Sequence, residues 1–268
     1  MMNNLDIYCV TNKIISSLDK TDYKIGWVGK ESPPSNYLSC NSDDNIFYKE
    51  KFYSELTFQY WFWKNIFDIN SKKWIGFCQK RRFWIEQEYL SEKIDKNNFF
   101  KFTLKEISKK DENFDSIICN PISVNNVKKI KMIKRGFKSI LNKPQIFFDS
   151  NKQTVNFHFD MHHGYGNLSK AITLVNREDR SDFFNYVNTS TSYNPHIMFI
   201  AKPKIVNKWF ETLFSWLFEC EKIFKFDELK GYDTQRLFAY LAERYLSFWF
   251  KKYSIFKEQK WIFLDLTD

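Results

Sequence analysis

Positions Phe52, Leu56, Gln59, Tyr60, Trp63 and Phe67 recur at steps of three or four and fall on one helical stripe. Phe58, Trp61 and Phe62 occupy the other side, so the spacing predicts a helix buried nearly all round. Glu55 sits at the edge of the stripe, where an unpaired carboxylate is costly. Trp74 to Cys78 then predicts a short buried strand that runs into two adjacent arginines, Arg81 and Arg82. Helix, buried strand and paired cations at the strand end form a layout for holding an anion in an α/β cleft.

The same reading extends along the chain. Leu5 to Thr11 predicts a first buried strand, followed by Asn12 and Lys13, and Tyr23 to Val28 a second. Glu31 to Ser42, with Pro33-Pro34, reads as a loop. Phe83 to Lys110 mixes polar and aromatic residues and suggests one or two short helices, and Asp115 to Cys119 a buried strand. Thr154 to Phe159 alternates like a strand, which makes His158 a strand residue and leads into Asp160-Met161-His162-His163-Gly164. Leu168 to Asn176 and Ser181 to Val187 read as helices, and His196 to Ile200 as a strand. Val206, Trp209, Phe210, Leu213, Leu217, Cys220 and Phe224 keep helical spacing, and a last helix is expected from about Asp233 to Lys252. Strands separated by helices, with a helical C-terminal third, indicate an α/β layer fold. The expectation is a single domain over residues 1–268, with a basic insertion at about 122–145.

Composition changes this picture in three ways. Only 7 Gly and 6 Pro argue against a loop-rich β protein or a disordered chain. The net charge of +9 suits an anionic partner, and the densest basic patch is Lys128, Lys129, Lys131, Lys134, Arg135 and Lys138. That patch reads either as a solvated helix face or as a surface for docking on a membrane. The 5 cysteines are odd in number and show no C-x-x-C, which fits a reducing cytoplasm without disulfides. Met1 to Asp6 is polar and no run reaches the ~18–20 apolar residues of a membrane span, so a soluble or peripheral protein is expected. No P-loop, G-x-G-x-x-G or G-x-S-x-G occurs, which leaves kinase, dehydrogenase and α/β-hydrolase readings without support.

Glu55 to Asn65 reads E-L-T-F-Q-Y-W-F-W-K-N, and Gly76, Arg81 and Arg82 follow. This resembles a family of bacterial capsular and exopolysaccharide glycosyltransferases, long labelled only as a domain of unknown function. In that family E-L-T-x-x-Y-W-x-W-K-N precedes a strand ending G-L-x-H-Y-R-R. Gln79 stands here where the family has His, Lys80 where it has Tyr, and Asn12 where a T-H-K-like triplet has His. Asp43-Asp44-Asn45-Ile46, Ile197 to Ile200, Trp216-Leu217-Phe218 and Glu243-Arg244-Tyr245 also resemble family segments, so the likeness covers most of the chain, weakly over residues 85–150.

The resemblance implies a GT-A-like, mostly parallel sheet flanked by helices. It implies transfer of a hexopyranose or galactofuranose from a nucleotide-sugar, UDP-linked in most relatives, to a growing capsule, O-antigen or exopolysaccharide acceptor. That acceptor is lipid-linked in one reading, which places the protein in the cytoplasm at the inner membrane face. Arg81 and Arg82 would neutralise the donor diphosphate, with Thr11, Asn12, Lys13, Asp44, Asn45 and Lys64 as further donor-binding residues. Tyr60, Trp63, Gln79, His162 and Glu243 would contact sugar or acceptor. Glu55 and His163 are the candidate catalytic residues. Each has a plainer reading: Arg81 and Arg82 as a surface ion pair, Glu55 as a structural carboxylate paired with Arg81 or Arg82, His163 as a loop residue that binds substrate or nothing, and Trp61 and Trp63 as core. No Asp-x-Asp follows a strand in the first half, and Asp265-Leu266-Thr267-Asp268 lies near the end. Cations are therefore expected to replace a divalent ion, with no metal and no cofactor beyond the donor. Asp160 with His162 and His163 is the one arrangement that looks metal-like. The departures at Gln79 and Lys80 leave open a degenerate protein that only binds glycan or nucleotide. A single-stranded nucleic-acid binder is disfavoured, because the aromatics sit at helix-core spacing rather than on an exposed sheet.

Overall fold

The computed structural model describes residues 4–89 and 91–266; residues 1–3 and 267–268, both read above, lie outside the described residues. The chain begins with strands β1 (Leu5–Thr11), β2 (Lys24–Trp27) and β3 (Leu38–Ser39). Helices α1 (Glu50–Tyr53) and α2 (Leu56–Asn65) lead to β4 (Trp74–Gln79), β5 (Arg82–Trp84), β6 (Ser116–Cys119) and β7 (Ile122–Ser123). Five helices follow: α3 (Lys129–Asn142), α4 (Gln145–Phe148), α5 (Val155–His163), α6 (Asn167–Ile172) and α7 (Arg177–Thr189). Next come β8 (Ser192–Tyr193), β9 (Phe199–Ala201) and α8 (Pro203–Cys220). The chain closes with α9 (Tyr232–Gln235), α10 (Leu237–Tyr253), β10 (Phe256–Gln259) and β11 (Trp261–Phe263). It forms two compact units: one runs to Asn120 and adds His196–Glu211 and the residues from Phe250 onward, the other is Pro121–Pro195 with Thr212–Trp249. The basic stretch at 122–145 belongs to the second.

The first unit holds a nine-stranded sheet in the order β10-β6-β9-β4-β1-β2-β3, with β5 pairing β4 and β11. Along that path β9 runs antiparallel to both neighbours while the other pairs are parallel, which gives the mostly parallel α/β sheet expected from sequence. The register sets Tyr8 opposite Phe77 and Phe77 opposite Phe199, so three aromatic rings share one face. Helix α2 packs there, with Phe62 4.6 Å from Tyr8 and 5.3 Å from Phe77, ring centre to ring centre, and Phe210 of α8 is 5.7 Å from Phe77. The opposite face buries Ile7, Cys9, Cys78 and Ile200 against Phe83, Trp84, Ile85, Phe99 and Leu104. Gly76 lies in this crowded layer: a Cβ there would stand 2.9 Å from the side chains of both Ile7 and Ile200.

Several boundaries differ from the sequence reading. The helix expected from Phe52 is broken at Ser54, whose φ of 52° turns the chain, so Glu55 immediately precedes α2. Thr57 completes the turn by donating both N–H and hydroxyl to the Ser54 carbonyl, at 3.1 and 2.8 Å. Among the described residues of 83–110 the short helices expected are single 3-10 turns, Gln87–Tyr89, Phe99–Lys101 and Lys109–Asp111, after β5. Strands β10 and β11 fall where Lys257, Glu258 and Lys260 hide the apolar pattern, and Gln259 anchors β10 through its amide to the Ile85 carbonyl at 3.1 Å.

In the second unit the segment read as a strand over Thr154 to Phe159 is the start of α5, capped by the Thr154 hydroxyl, which accepts from Phe157 N–H. Burial alternates at Val155, Phe157, Phe159, Met161 and His163 because neighbours cover this helix on more than one side. His158 is thus a helix residue, and His196 takes φ 66° ahead of β9 instead of opening the strand. Gly136 lets α3 approach α5: a Cβ there would meet the Phe157 ring at 2.8 Å. The last helix divides at Arg236 into α9 and α10. Among the described residues no helix is long and apolar enough to cross a membrane.

Candidate functional site

From β1 the chain passes to β2 and β3 on one side and then returns to β4 on the other. The carboxyl ends of β1 and β4 therefore flank a topological switch point, where open α/β sheets bind ligands. At the end of β1 the buried Thr11 hydroxyl donates to the Lys13 carbonyl at 2.7 Å and accepts from Lys13 N–H at 3.0 Å. This tight loop leaves Asn12 and Lys13 exposed. At the end of β4, Lys80 N–H donates to the Val10 carbonyl at 3.1 Å, and its ammonium donates to Asn12 Oδ1. A cavity of about 430 Å³ opens beside Lys13, lined also by Ser16, Ser17, Lys96 and Asn97. Sequence reasoning missed these four, and Lys96 could not be found from sequence because only the fold brings it to the loop.

The arginines do not trail beyond a strand end. Strand β4 turns back at Lys80 and Arg81 into β5, with Gln79 opposite Arg82. Arg82 Nη1 donates to Gln79 Oε1 at 2.8 Å, and Gln79 Nε2 donates to Glu55 Oε1. Glu55 is therefore held by Gln79, with Arg82 one step behind, and not by the direct pairing with Arg81 or Arg82 that its plainer reading had. Arg81 Nε pairs with Asp265 Oδ1 at 3.1 Å, both side chains part-exposed, while the Arg81 carbonyl accepts from Leu264 N–H at 2.9 Å.

A second group lies along α2. Asn65 brackets the Asp44 backbone, accepting from its N–H at 3.2 Å and donating to its carbonyl at 2.9 Å. The Tyr60 hydroxyl donates to Asp44 Oδ1 at 3.1 Å, and burial, with the Asp44 carboxylate second, pushes the phenol up to about 12. Asn45 folds onto its own loop, accepting from Phe47 N–H at 3.0 Å. Lys64 Nζ sits 3.7 Å above the Trp63 ring, whose indole donates to Asn207 Oδ1 at 2.9 Å. Trp61 is buried core, as its plainer reading had it.

His162, His163 and Glu243 meet in the second unit, around a residue that sequence reasoning left without a role. Arg244 is 1% exposed, lies 4.2 Å over the Tyr193 ring and pairs with Glu243. Its Nη2 stands 3.4 Å from both His158 Nδ1 and His163 Nε2. A guanidinium only donates, so both nitrogens accept; His163 then carries its proton on Nδ1, 3.1 Å from the Asp233 carbonyl. The His163 ring stacks on Tyr240 at 3.7 Å. Burial, with Arg244 second, pushes His163 down to about 3 and His158 to about 2. His162 falls to about 4, through burial and then Lys131 and Arg135. The i, i+4 spacing on a helix, invisible while the segment was read as a strand, brings the His158 and His162 rings to 4.6 Å.

Asp160 accepts from Gly166 N–H at 2.9 Å and the Ser139 hydroxyl at 3.1 Å, and burial raises its pKa. It lines a cavity of about 600 Å³ with Asn142, Asn156, Tyr165, Ser169 and Asn188. Among the described residues no three His, Cys, Asp or Glu side chains group as a metal-ligand set.

A solved structure described as the WbbM bifunctional glycosyltransferase in its apo form shares this fold, with a TM-score of 0.71 at 21% sequence identity. The overlap covers 98% of this chain and 46% of that one, so this chain spans less than half of that protein. The mannosyltransferase Ktr4p from S. cerevisiae overlaps 90% of this chain and 63% of its own at 10% identity, with a TM-score of only 0.25. No curated protein matches the chain. A family described as a domain of unknown function (DUF4422) matches residues 6–254, and the chain belongs to that family.

Proposed function

We propose that this protein is a glycosyltransferase that moves a sugar from a nucleotide-sugar to a glycan acceptor. The observation that carries the reading is the switch point between β1 and β4, where Asn12 and Lys80 bond to each other and Glu55, Gln79 and Arg82 form a relay. Anionic ligands of α/β sheets bind at that edge. Lys13, Lys80, Arg81 and Arg82 supply the charge to neutralise a leaving diphosphate without a bound ion. A fold shared with a bifunctional glycosyltransferase supports the same class.

In this reading the acceptor hydroxyl displaces the diphosphate at the anomeric carbon. We assign deprotonation of that hydroxyl to Glu55, since both nitrogens of His163 are already engaged. Thr11, Asn12 and Lys13 hold the donor with the arginines, and Asp44, Asn45 and Lys64 form the α2 edge of its site. Tyr60, Trp63 and Gln79 contact sugar, while His162 and Glu243 act with the acceptor. The cavity beside Asp160, rich in amides and hydroxyls, has the chemistry of a glycan site. The donor sugar is a hexopyranose or galactofuranose carried on UDP, and the product a capsule, O-antigen or exopolysaccharide repeat built in the cytoplasm at the inner membrane face.

The test is a thermal-shift screen across nucleoside diphosphates and nucleotide-sugars. A donor at 100 times its dissociation constant should add about 2.7 kcal/mol of stability. No shift with any of them would sink the reading. A second reading, a non-catalytic glycan- or nucleotide-binding protein, is favoured by the departures at Gln79 and Lys80. It predicts a shift with donor but no hydrolysis or transfer.

A further inference from the structure

Helix α3 buries Met132, Gly136 and Ser139 in its own unit and leaves a second apolar face in water. Ile130, Ile133, Phe137 and Leu141 are 70, 53, 56 and 63% exposed. At 3.6 residues per turn these four fall within an arc of about 80°. Phe148 of α4, a few residues on, is 81% exposed. Exposed apolar residues scattered singly need no explanation, but a stripe of four on one helix does. Lys134, Lys138 and Lys131 line one flank of the stripe, all exposed. Residues 121–148 hold Lys128, Lys129, Lys131, Lys134, Arg135, Lys138 and Lys143 and no Asp or Glu.

We propose that α3 is a membrane-docking helix that lies in the surface of an anionic phospholipid bilayer. Ile130, Ile133, Phe137 and Leu141 enter between the headgroups, and the lysine row meets the lipid phosphates. The occupant follows from charge. A second copy docked on the same face would set the lysine row of one stripe against that of the other, whereas an anionic bilayer offers apolar depth and opposite charge together. The helix is already formed and packed on α5, so docking carries no cost of folding it. This inference does not depend on the donor-site reading, and its test has no transfer readout.

The experiment is flotation of the full chain with vesicles of phosphatidylcholine alone and of phosphatidylcholine containing phosphatidylglycerol, alongside sedimentation velocity without lipid. The protein should float with the anionic vesicles. The double variants Ile133→Ser/Phe137→Ser and Lys134→Glu/Lys138→Glu should each bind about tenfold more weakly or worse. All four positions are exposed, so circular dichroism and melting temperature should match the parent. Failure of the parent to float would overturn the proposal, as would undiminished flotation of both variants. Self-association of the parent that the serine variant abolishes would assign the stripe to a second copy and overturn it too.

Discussion

Gln79 donates its side-chain amide to the Glu55 carboxylate, 24 positions earlier in the chain. The carbonyl of the same amide takes Arg82 Nη1 at 2.8 Å, so a neutral group spaces the carboxylate from the guanidinium. The departures from the resembling pattern are not scattered: Gln79 holds Glu55, and Asn12 and Lys80 hold each other. All three residues make side-chain hydrogen bonds at the sheet edge.

Glu55→Gln separates structure from chemistry. If Glu55 is the base, donor turnover should fall ~100-fold or more while the melting temperature stays nearly unchanged, because the amide preserves shape. A stable and fully active variant would remove Glu55 from both roles.

Arg82→Ala should weaken binding of a nucleoside diphosphate by about 1.5–3 kcal/mol, the worth of a charge-assisted contact. Arg81→Ala should do the same if Arg81 exchanges Asp265 for the ligand, since a part-exposed ion pair is worth little in competition. Titration calorimetry checks both, and unchanged affinity in the two would refute the anion site.

Acid should destabilise the second unit. His158, His162 and His163 have folded pKa values lowered to about 2, 4 and 3. Unfolded histidine titrates near 6.5, so below that pH the unfolded chain binds more protons and stability falls as pH falls. The loss begins near pH 6.5 and levels off below the folded values, at up to about 1.4 kcal/mol per pH unit for each well-buried ring. His162 contributes less, being partly solvated. Urea midpoints at pH 7 and pH 5 measure it; equal midpoints would contradict the arrangement around Arg244. Truncating the buried Arg244 to Ala should cost about 3–5 kcal/mol, because it breaks a buried ion pair with Glu243 and removes the donor to His158 and His163.

Turnover should survive excess EDTA and gain nothing from Mn²⁺. Lys80, Arg81 and Arg82 stand in the β4–β5 turn, and the two carboxylates beside it, Glu55 and Asp265, are engaged by Gln79 and Arg81 rather than offered to a hard divalent ion. Activity lost with EDTA and restored by Mn²⁺ would reverse this and make Asp160 the first residue to mutate.

Much of the sheet was legible because its strands are buried on both faces. Leu5–Thr11 carries no ambiguity of period, and Trp74–Gln79 differs from the expected strand by one residue. The break at Ser54 was not legible, since nothing about a serine announces φ 52°. Helix α5 was misread because a helix covered on several sides shows the same alternation of apolar residues as a strand. Arg244 drew no role because a lone basic residue on a helix usually points to water, and only the surrounding Tyr193, His158 and His163 show it buried.

By itself the sequence determined what local pattern can encode: the α/β class, an aromatic helix within Phe52 to Phe67, the buried strand after it and the basic content of residues 122–145. Tertiary structure alone decided which polar side chains meet. Glu55 with Gln79, Asn12 with Lys80, Arg81 with Asp265 and Arg244 with His163 join residues 24 to 184 positions apart. Hydrogen bonds of that kind are set by strand order and register, and hydrophobic periodicity carries no information about either.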